Sequence, residues 1–480
     1  MKLRKILAVL FAFILAFSIT GCGKSKESKG TDANTVTSGA SDITDAGTST
    51  NDKGAWTYSS IKLGEDYTDL TATIKWLHHK TDRDSTSGGD GKIQEYIAEF
   101  NKEYPNITVQ TEGVTDYANE SLLRLSSKDW GDIMFIPAVD KKDLPTYFMP
   151  FGKTEEMKQV VNFANAWEYD ATAYGIAYMA NANGIVYNKA VFQKAGITTL
   201  PKTPDEFLAD LKLIKEKTDV KAPLYTNYAA KWTMGAWDAY VGAVSTGDYA
   251  YLNQKLVHTA NPFKNPGDGT GAYSLYKILY DAVAQKLIED DYTTTDWEGC
   301  KGMINNGEIG CMVLGSWAFQ QMVDAGDHGA DIGYMPFPIS VGGKQYAVSA
   351  PDYSFGINAN SSDDNKLAST IFVKWMTEKS NWSYDEGGLP VNKTGEYPGL
   401  YEAFKDCVMQ EQDPSLPGEE TYINDMNKKS ELNINSGGDS KVMKIVEYGD
   451  TGKKTFDQIM DEWNKAWTKA QKDLGFEVKY

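Results

Sequence analysis

An alternation of strand and helix patterns in the first folded part of the chain constrains the fold most strongly. Apolar residues alternate with polar ones over 72–77, as in a half-buried strand, and recur at helical spacing over 93–104. Short apolar strands follow at 107–109 and 132–137, with a helical segment at 121–125 between them. This order predicts a parallel sheet with crossover helices.

The same kind of pattern begins again further along the chain. A strand is predicted over 184–187 and another over 309–314. Thr203, followed by Pro and, three residues on, by Glu, predicts a well-capped helix start, and a final helix is predicted over 455–474. The fold class is therefore α/β with two lobes, and we expect ordered structure to begin near Leu70.

Composition excludes several classes of function. The 480 residues carry a formal charge of −18, so the clustered cations that nucleic acids and anionic lipids require are missing. The scattered Cys300, Cys311 and Cys407 show no metal-type spacing. Free core thiols are the favoured interpretation, and a bridge between Cys300 and Cys311 is the alternative.

The amino terminus resembles the signal sequence of bacterial lipoproteins. A basic start precedes an apolar run from Ile6 to Phe17, and small residues lead to Cys22. The resemblance implies cleavage after residue 21, acylation of Cys22 and a polar tether over 22–55; an ordinary signal peptide is the alternative. The expected location is the extracytoplasmic face of the cell membrane, with lipid anchoring through Cys22.

Four segments in order resemble the extracellular solute-binding proteins of carbohydrate ABC importers, family 1, the maltose-binding-protein-like branch. They are the strand and helix ending in Glu99-Phe100-Asn101-Lys102-Glu103-Tyr104-Pro105-Asn106-Ile107, then Gly131-Asp132-Ile133, then Gly184-Ile185-Val186-Tyr187-Asn188-Lys189, and finally Gly307 to Met312 with Gly315-Ser316-Trp317 and Tyr334-Met335-Pro336-Phe337-Pro338. Residues 397–449 match nothing in that family pattern.

The resemblance implies two discontinuous lobes joined by hinge crossings, with a ligand in the cleft between them. Lobe one is expected at 56–179 plus 353–395 and lobe two at 180–352 plus 396–480. The implied function is capture of an oligosaccharide and its delivery to the transmembrane subunits of an ABC permease, by a monomer without enzymatic activity. An exported glycoside-active enzyme, or a receptor of the same fold for a non-sugar solute, is the alternative.

Candidate ligand contacts follow from the chemistry of sugars, which need aromatic plates and planar polar groups at a concave site. The loop after the first strand supplies His78, His79 and Arg83, and the resemblance implies stacking by Trp317 after the strand at 309–314. The remaining candidates are Trp232 and Trp237 in a second aromatic region, and Tyr178, Asn181, Asp352 and Tyr353 at the crossings.

Other site motifs fail on inspection. Gly88 to Lys92 lacks the spacing of a phosphate loop, and no GxSxG or HExxH motif occurs. His78 and His79 with nearby acids form a weak metal pattern, because neighbouring side chains on a strand point apart. The sequence thus predicts no cofactor, no metal and no catalytic residue.

Overall fold

The computed structural model describes residues 56–435 and 439–480, which belong to one compact unit. The predicted signal peptide, Cys22 and the tether at 22–55 lie outside the described residues. Within the described ranges, no helix combines the length and apolar character needed to cross a bilayer.

The strands of the described residues are β1 (Ala72–His78), β2 (Ile107–Gly113), β3 (Ile133–Phe135), β4 (Gly152–Lys153), β5 (Glu168–Tyr169), β6 (Thr172–Ala173), β7 (Ile176–Ala177), β8 (Ala180–Asn188), β9 (Ala222–Leu224), β10 (Ile309–Gly315), β11 (Ile332–Met335), β12 (Ser340–Val341), β13 (Lys344–Pro351), β14 (Ser354–Ile357) and β15 (Val408–Gln410).

The helices are α1 (Lys92–Glu103), α2 (Tyr117–Ser127), α3 (Leu144–Tyr147), α4 (Thr154–Val160), α5 (Lys189–Ala195), α6 (Pro204–Lys217), α7 (Trp232–Gly235), α8 (Ala243–Thr246), α9 (Gly271–Ala284), α10 (Trp297–Asn305), α11 (Phe319–Val323), α12 (Asp363–Glu378), α13 (Trp382–Asp385), α14 (Tyr422–Ser430), α15 (Asp439–Thr451) and α16 (Phe456–Leu474).

Lobe one is built on a five-stranded sheet in the order β2-β1-β3-β14-β7. Strand β1 pairs in parallel with β2 and β3, as the sequence pattern predicts, and β14 pairs antiparallel with β3. Trp76 of β1 is buried against Phe372 of α12, with ring centroids 5.8 Å apart. The first strand therefore lies at the centre of the core, and its carboxyl end leads into the loop that starts at His79.

Lobe two is built on a second sheet in the order β12-β13-β8-β10-β9, with β11 added beside β8 and β15 beside β13. Helix α6 begins with the predicted capping box of Thr203 and Glu206. Helix α16 begins in the same way at Thr455 and buries Trp463 and Trp467.

Two antiparallel segments carry the chain between the sheets. The chain leaves the first sheet at Ala177 and enters the second at Ala180; it returns from Pro351 to Ser354. The segments bond to each other, because the Asp352 amide donates to the Met179 carbonyl at 3.1 Å. The predicted crossings at 177–182 and 351–354 include these two segments, and the lobe boundaries stay a prediction.

Two sequence expectations need correction or extension. Order does not begin near Leu70: Trp56 and Tyr58 are already buried in lobe one, so the folded domain starts at least fourteen residues earlier. The unmatched segment 397–449 extends lobe two, because β15 pairs with β13, and α14 and α15 pack on α16 and α9.

Cys300, Cys311 and Cys407 are free thiols, so the bridge between the first two is absent.

Candidate functional site

A cavity of about 890 Å³ lies between the lobes. Its walls come from the loop after β1, the two crossing segments, the first half of α10, and the chain around α11. The lining residues used below are His79, Lys80, Asp82, Arg83, Tyr178, Trp297, Glu298, Lys301, Trp317, Gln320, Asp324, Asp352, Tyr353 and Glu386. Both lobes thus contribute polar and aromatic side chains to one concave site.

His78 lies beneath the cleft rather than in its wall. Its Nδ1 accepts a hydrogen bond from the Lys80 amide at 3.1 Å, and its Nε2 lies 3.0 Å from the Asp84 carboxylate. This pattern assigns a neutral ring with the proton on Nε2. Burial lowers the pKa of His78 to about 4, although Asp84 opposes the shift. His78 is therefore placed to position the loop and, in contrast to the sequence expectation, does not line the cavity.

His79 lines the cleft and lies in an aromatic wall of lobe one. Its ring centroid is 4.6 Å from that of Tyr353 and 6.0 Å from that of Tyr178. Burial lowers the pKa of His79 to about 3, so the imidazole is neutral at physiological pH. Its Nδ1 is buried and has no hydrogen-bond partner among the described residues. A neutral imidazole offers one donor and one acceptor, which suits hydroxyl groups.

Tyr178 and Asp352 form a hydrogen-bonded pair across the two crossing segments. The Tyr178 hydroxyl donates to Asp352 Oδ2 at 2.5 Å. Asp352 is an exposed residue that lines the cavity, and desolvation of its carboxyl by the surrounding protein raises its pKa. Because Tyr178 occupies one carboxylate oxygen, the other oxygen keeps its acceptor capacity toward the cleft.

Three tryptophans form a cluster on the lobe-two side. The ring centroids of Trp232 and Trp297 are 5.0 Å apart, and Trp317 lies 5.6 Å from Trp232 and 5.8 Å from Trp297. Trp297 and Trp317 line the cavity, whereas Trp232 lies at the exposed edge of the tryptophan cluster and is itself 45% exposed. The Lys301 ammonium lies 5.1 Å from the Trp297 ring centroid. The cluster offers indole faces for stacking.

The turn that carries Trp317 is held by a buried hydroxyl. Ser316 Oγ lies 2.8 Å from the Tyr401 hydroxyl, accepts from the Ala182 amide at 3.0 Å and donates to Asn181 Oδ1 at 3.2 Å. Asn181 is thus engaged behind Trp317 and lies outside the cavity lining. Its role is to position the turn, which differs from the ligand contact that the sequence suggests.

Trp237 is a third candidate that the structure places outside the cleft. It is buried in the core of lobe two, 6.0 Å from the Phe337 ring, and does not reach the cleft. It sits in a short 3-10 helix that follows α7, whereas Trp232 stands at the start of α7. The sequence argument that residues five apart cannot share one helical face holds, but it could not tell which of the two points inward.

The structure also adds residues that the sequence analysis missed. Trp297 opens α10 directly after the N-cap Asp296, and Gln320 and Asp324 follow from α11. The sequence did contain one indication for Trp297. It is a large aromatic residue at the first position of a capped helix, where its side chain need not join the buried face of that helix. Among the described residues, no group of three or more His, Cys, Asp or Glu is arranged to hold a metal ion.

Comparison with known proteins defines the class. A sequence model of the family described as "Bacterial extracellular solute-binding protein" matches residues 84–381. The chain is 26% identical over 336 residues to the multiple sugar-binding protein of Streptococcus mutans, which covers 67% of this chain and 76% of that protein. The chain therefore belongs to the bacterial extracellular solute-binding proteins, which bind their ligands without converting them.

Two solved structures are more similar. BlMnBP1, a binding protein of an ABC transporter from Bifidobacterium animalis subsp. lactis in complex with mannobiose, is 50% identical, with a TM-score of 0.80 over 88% of this chain and 100% of that one. BlMnBP2 from the same organism, a manno-oligosaccharide-specific solute-binding protein in complex with mannotriose, is 49% identical, with the same TM-score and coverage. The protein is thus a substrate-binding component of an ABC transporter with the two-lobed fold.

Proposed function

We propose that this protein captures a short manno-oligosaccharide in the interlobe cleft and delivers it to an ABC permease. The observation that carries the proposal is the facing arrangement of the tryptophan cluster in lobe two and of His79, Asp352 and Tyr353 in lobe one. The two relatives of about half-identical sequence that hold mannobiose and mannotriose support this class of sugar.

The proposed contacts divide by chemistry. Trp297 and Trp317 stack on sugar rings, and Trp232 extends that platform at the edge of the cleft. His79, Tyr353 and Asp352 exchange hydrogen bonds with hydroxyl groups, and the carboxylate suits two neighbouring hydroxyls because it only accepts. Tyr178 fixes the orientation of Asp352 through their short bond.

The charge of the cleft favours a neutral ligand. Five carboxylates line it against three cations. Two of the cations, Lys80 and Arg83, are already paired with Glu386 at 2.9 Å each. An anionic solute would meet net negative charge and no free guanidinium, so the non-sugar alternative is disfavoured for anions.

We infer the lobe boundaries and the hinge from the chain path. Lobe one comprises 56–179 plus 353–395, and lobe two comprises 180–352 plus 396–480. The hinge then lies in 177–182 and 351–354, where two short antiparallel segments link the lobes, and the chain passes between the lobes a third time near 395–396. We expect the protein to act as a monomer, as the family resemblance implies.

We further propose that the protein is held at the membrane by a lipid on Cys22, after removal of residues 1–21. The resemblance of residues 1–22 to a lipoprotein signal sequence supports this anchor. A diacyl group also provides the two acyl chains that stable membrane attachment requires. Changing Cys22→Ser should release the protein from cells into the medium. Retention of the variant in the membrane fraction would contradict the anchor.

Isothermal titration calorimetry with mannobiose and mannotriose tests the ligand class. We expect saturable one-to-one binding to both sugars, with raffinose and a chitin disaccharide as controls of similar size. Chromatography of the bound sugar after incubation should return it intact. Binding to a control sugar with no response to either mannoside would overturn the proposed ligand.

A further inference from the structure

Arg83 has an unusual set of neighbours for a residue that lines a sugar cleft. Its Nη1 lies 2.7 Å from Asp90, its Nη2 lies 3.2 Å from Asp324, and its Nε lies 2.9 Å from Glu386. Asp82 is a fourth carboxylate at 3.7 Å. Each nitrogen of the guanidinium thus lies within ion-pair distance of a carboxylate, although the Nε–H makes no hydrogen bond among the described residues.

The four carboxylates do not belong to one lobe. Asp82 and Asp90 lie in the loop between β1 and α1, and Glu386 directly follows α13, so all three are carried by lobe one. Asp324 caps the carboxyl end of α11, which follows the lobe-two strand β10. The Arg83–Asp324 ion pair therefore bridges the cleft, whereas the other three contacts stay within the lobe that carries Arg83.

Both partners are held in place from their own side. Glu386 is 5% exposed and is shared with Lys80, which fixes the Arg83 guanidinium in lobe one. On the other side, Gln320 Nε2 donates to Asp324 Oδ1 at 2.7 Å, which leaves Oδ2 for Arg83. Opening the lobes would break only the Asp324 contact, so this contact depends on closure in a way that the other Arg83 contacts do not.

We propose that the Arg83–Asp324 ion pair is a latch that favours the closed cleft, and that Arg83 is a positioning residue rather than a sugar ligand. The proposal rests on the proposed function, since it assigns a role in the same site. A contact present only in the closed state raises the closed fraction before ligand arrives, and apparent affinity rises with that fraction.

The expected size of the effect is modest. The Asp324 side chain is 48% exposed and that of Arg83 is 14% exposed, so the pair is partly screened by solvent. Removing it should weaken sugar binding by about twofold to fivefold. The weakening should be largest at low ionic strength, because salt screens partly exposed pairs.

Asp324→Asn tests the latch, because the asparagine side chain can still accept the hydrogen bond from Gln320 but carries no charge. Asp327→Asn is the matched control: Asp327 is exposed three residues on and has no ion-pair partner within the described part of the chain. Small-angle scattering without ligand and calorimetry with mannotriose are measured for both variants and for the native protein, in forms that begin at residue 54. We expect Asp324→Asn alone to show a larger radius of gyration without ligand and a weaker affinity.

Two outcomes would decide against the latch. Weaker binding with unchanged scattering would make Asp324 a direct sugar contact. Unchanged or tighter binding would show that the pair does not assist closure. The ligand class is tested separately from the latch. If the native protein does not bind mannotriose but Asp324→Asn still has a larger radius of gyration without ligand, the latch is supported and the proposed ligand is wrong.

Discussion

At the scale of single residues, Trp317 carries the sharpest prediction. Its indole lines the cleft and lies within 6 Å of two other indoles, so truncation removes both stacking area and the support of the cluster. Trp317→Ala should weaken sugar binding by roughly tenfold to a hundredfold, from about 1.5–3 kcal/mol of lost aromatic burial. Calorimetry on the folded variant measures this.

Trp232→Ala provides the graded comparison. Trp232 touches the same cluster but is 45% exposed at its edge, so its loss should cost less affinity than the loss of Trp317. A folded Trp317→Ala variant with native affinity would remove Trp317 from the proposed contacts, whatever Trp232 does.

Stability should depend on pH through His78. Because burial and the Lys80 N–H bond keep this ring neutral, its pKa of about 4 lies below the unfolded value of about 6.5. The unfolded chain therefore binds more protons between these values, and folding stability falls as pH falls through this window. At pH 5 the loss from His78 should be on the order of 2 kcal/mol relative to pH 7.

Urea unfolding at pH 7 and pH 5 checks this dependence. His78→Gln should be less stable at pH 7 but should lose less stability on acidification than the native protein. His328→Gln is the matched control, because His328 is an exposed histidine outside the cleft. An identical pH slope in His78→Gln and the native protein would contradict the neutral buried ring.

The sequence could not separate His78 from His79. Alternation usually tells which side chains share a face, but the last three residues of β1 are all buried because both faces of that strand are covered. Which histidine reaches the cleft is decided by the turn after the strand, where the Lys80 amide bonds back to His78. That bond depends on the packed loop and leaves no pattern in the sequence.

At the scale of elements, the turn after β10 depends on a glycine. A Cβ placed on Gly315 would lie 2.5 Å from Trp317 Nε1, far closer than van der Waals contact. Gly315→Ala should therefore displace the indole and weaken sugar binding several-fold while leaving both lobes folded. Calorimetry and circular dichroism together separate these two effects.

Gly399→Ala is the matched control, because a Cβ at Gly399 meets no atom within 4 Å. It should leave affinity unchanged. Native affinity in Gly315→Ala would mean that the Trp317 ring can shift without cost to the ligand, and would weaken the stacking proposal.

Elements defined by local chemistry were predictable, and those defined by distant contacts were not. The capping boxes at Thr203 and Thr455 are short-range patterns and appear where the sequence places them. By contrast, β15 pairs with β13 about sixty residues earlier in the chain, and Tyr401 supports Ser316 across 85 residues. Neither contact has a local signature.

At the scale of the whole molecule, the two-lobed fold followed from the repeated α/β pattern and from ordered motifs spread along the chain. The predicted hinge crossings follow from the family resemblance, and in the structure each change of sheet falls between two strands. The composition of the cleft was predicted only in part, since α10 and α11 reach it through the tertiary arrangement and not through sequence position.

The arrangement of the lobes predicts a closing motion on ligand binding. His79 and Tyr353 belong to one lobe and Trp297 and Trp317 to the other, so a sugar that touches both gains contacts only when they approach. The links between the sheets are short extended segments, which suit a hinge at 177–182 and 351–354.

Small-angle scattering measures this motion directly, with residues 1–53 removed so that the predicted tether adds nothing to the curve. Adding saturating mannotriose should reduce the radius of gyration, and Trp317→Ala at the same sugar concentration should show a smaller reduction, in proportion to its lower occupancy. Because closure requires a greater affinity for the closed state, a sugar that binds tightly yet leaves the curve unaltered would mean that the cleft is already closed without ligand, and the hinge mechanism would be wrong for this protein.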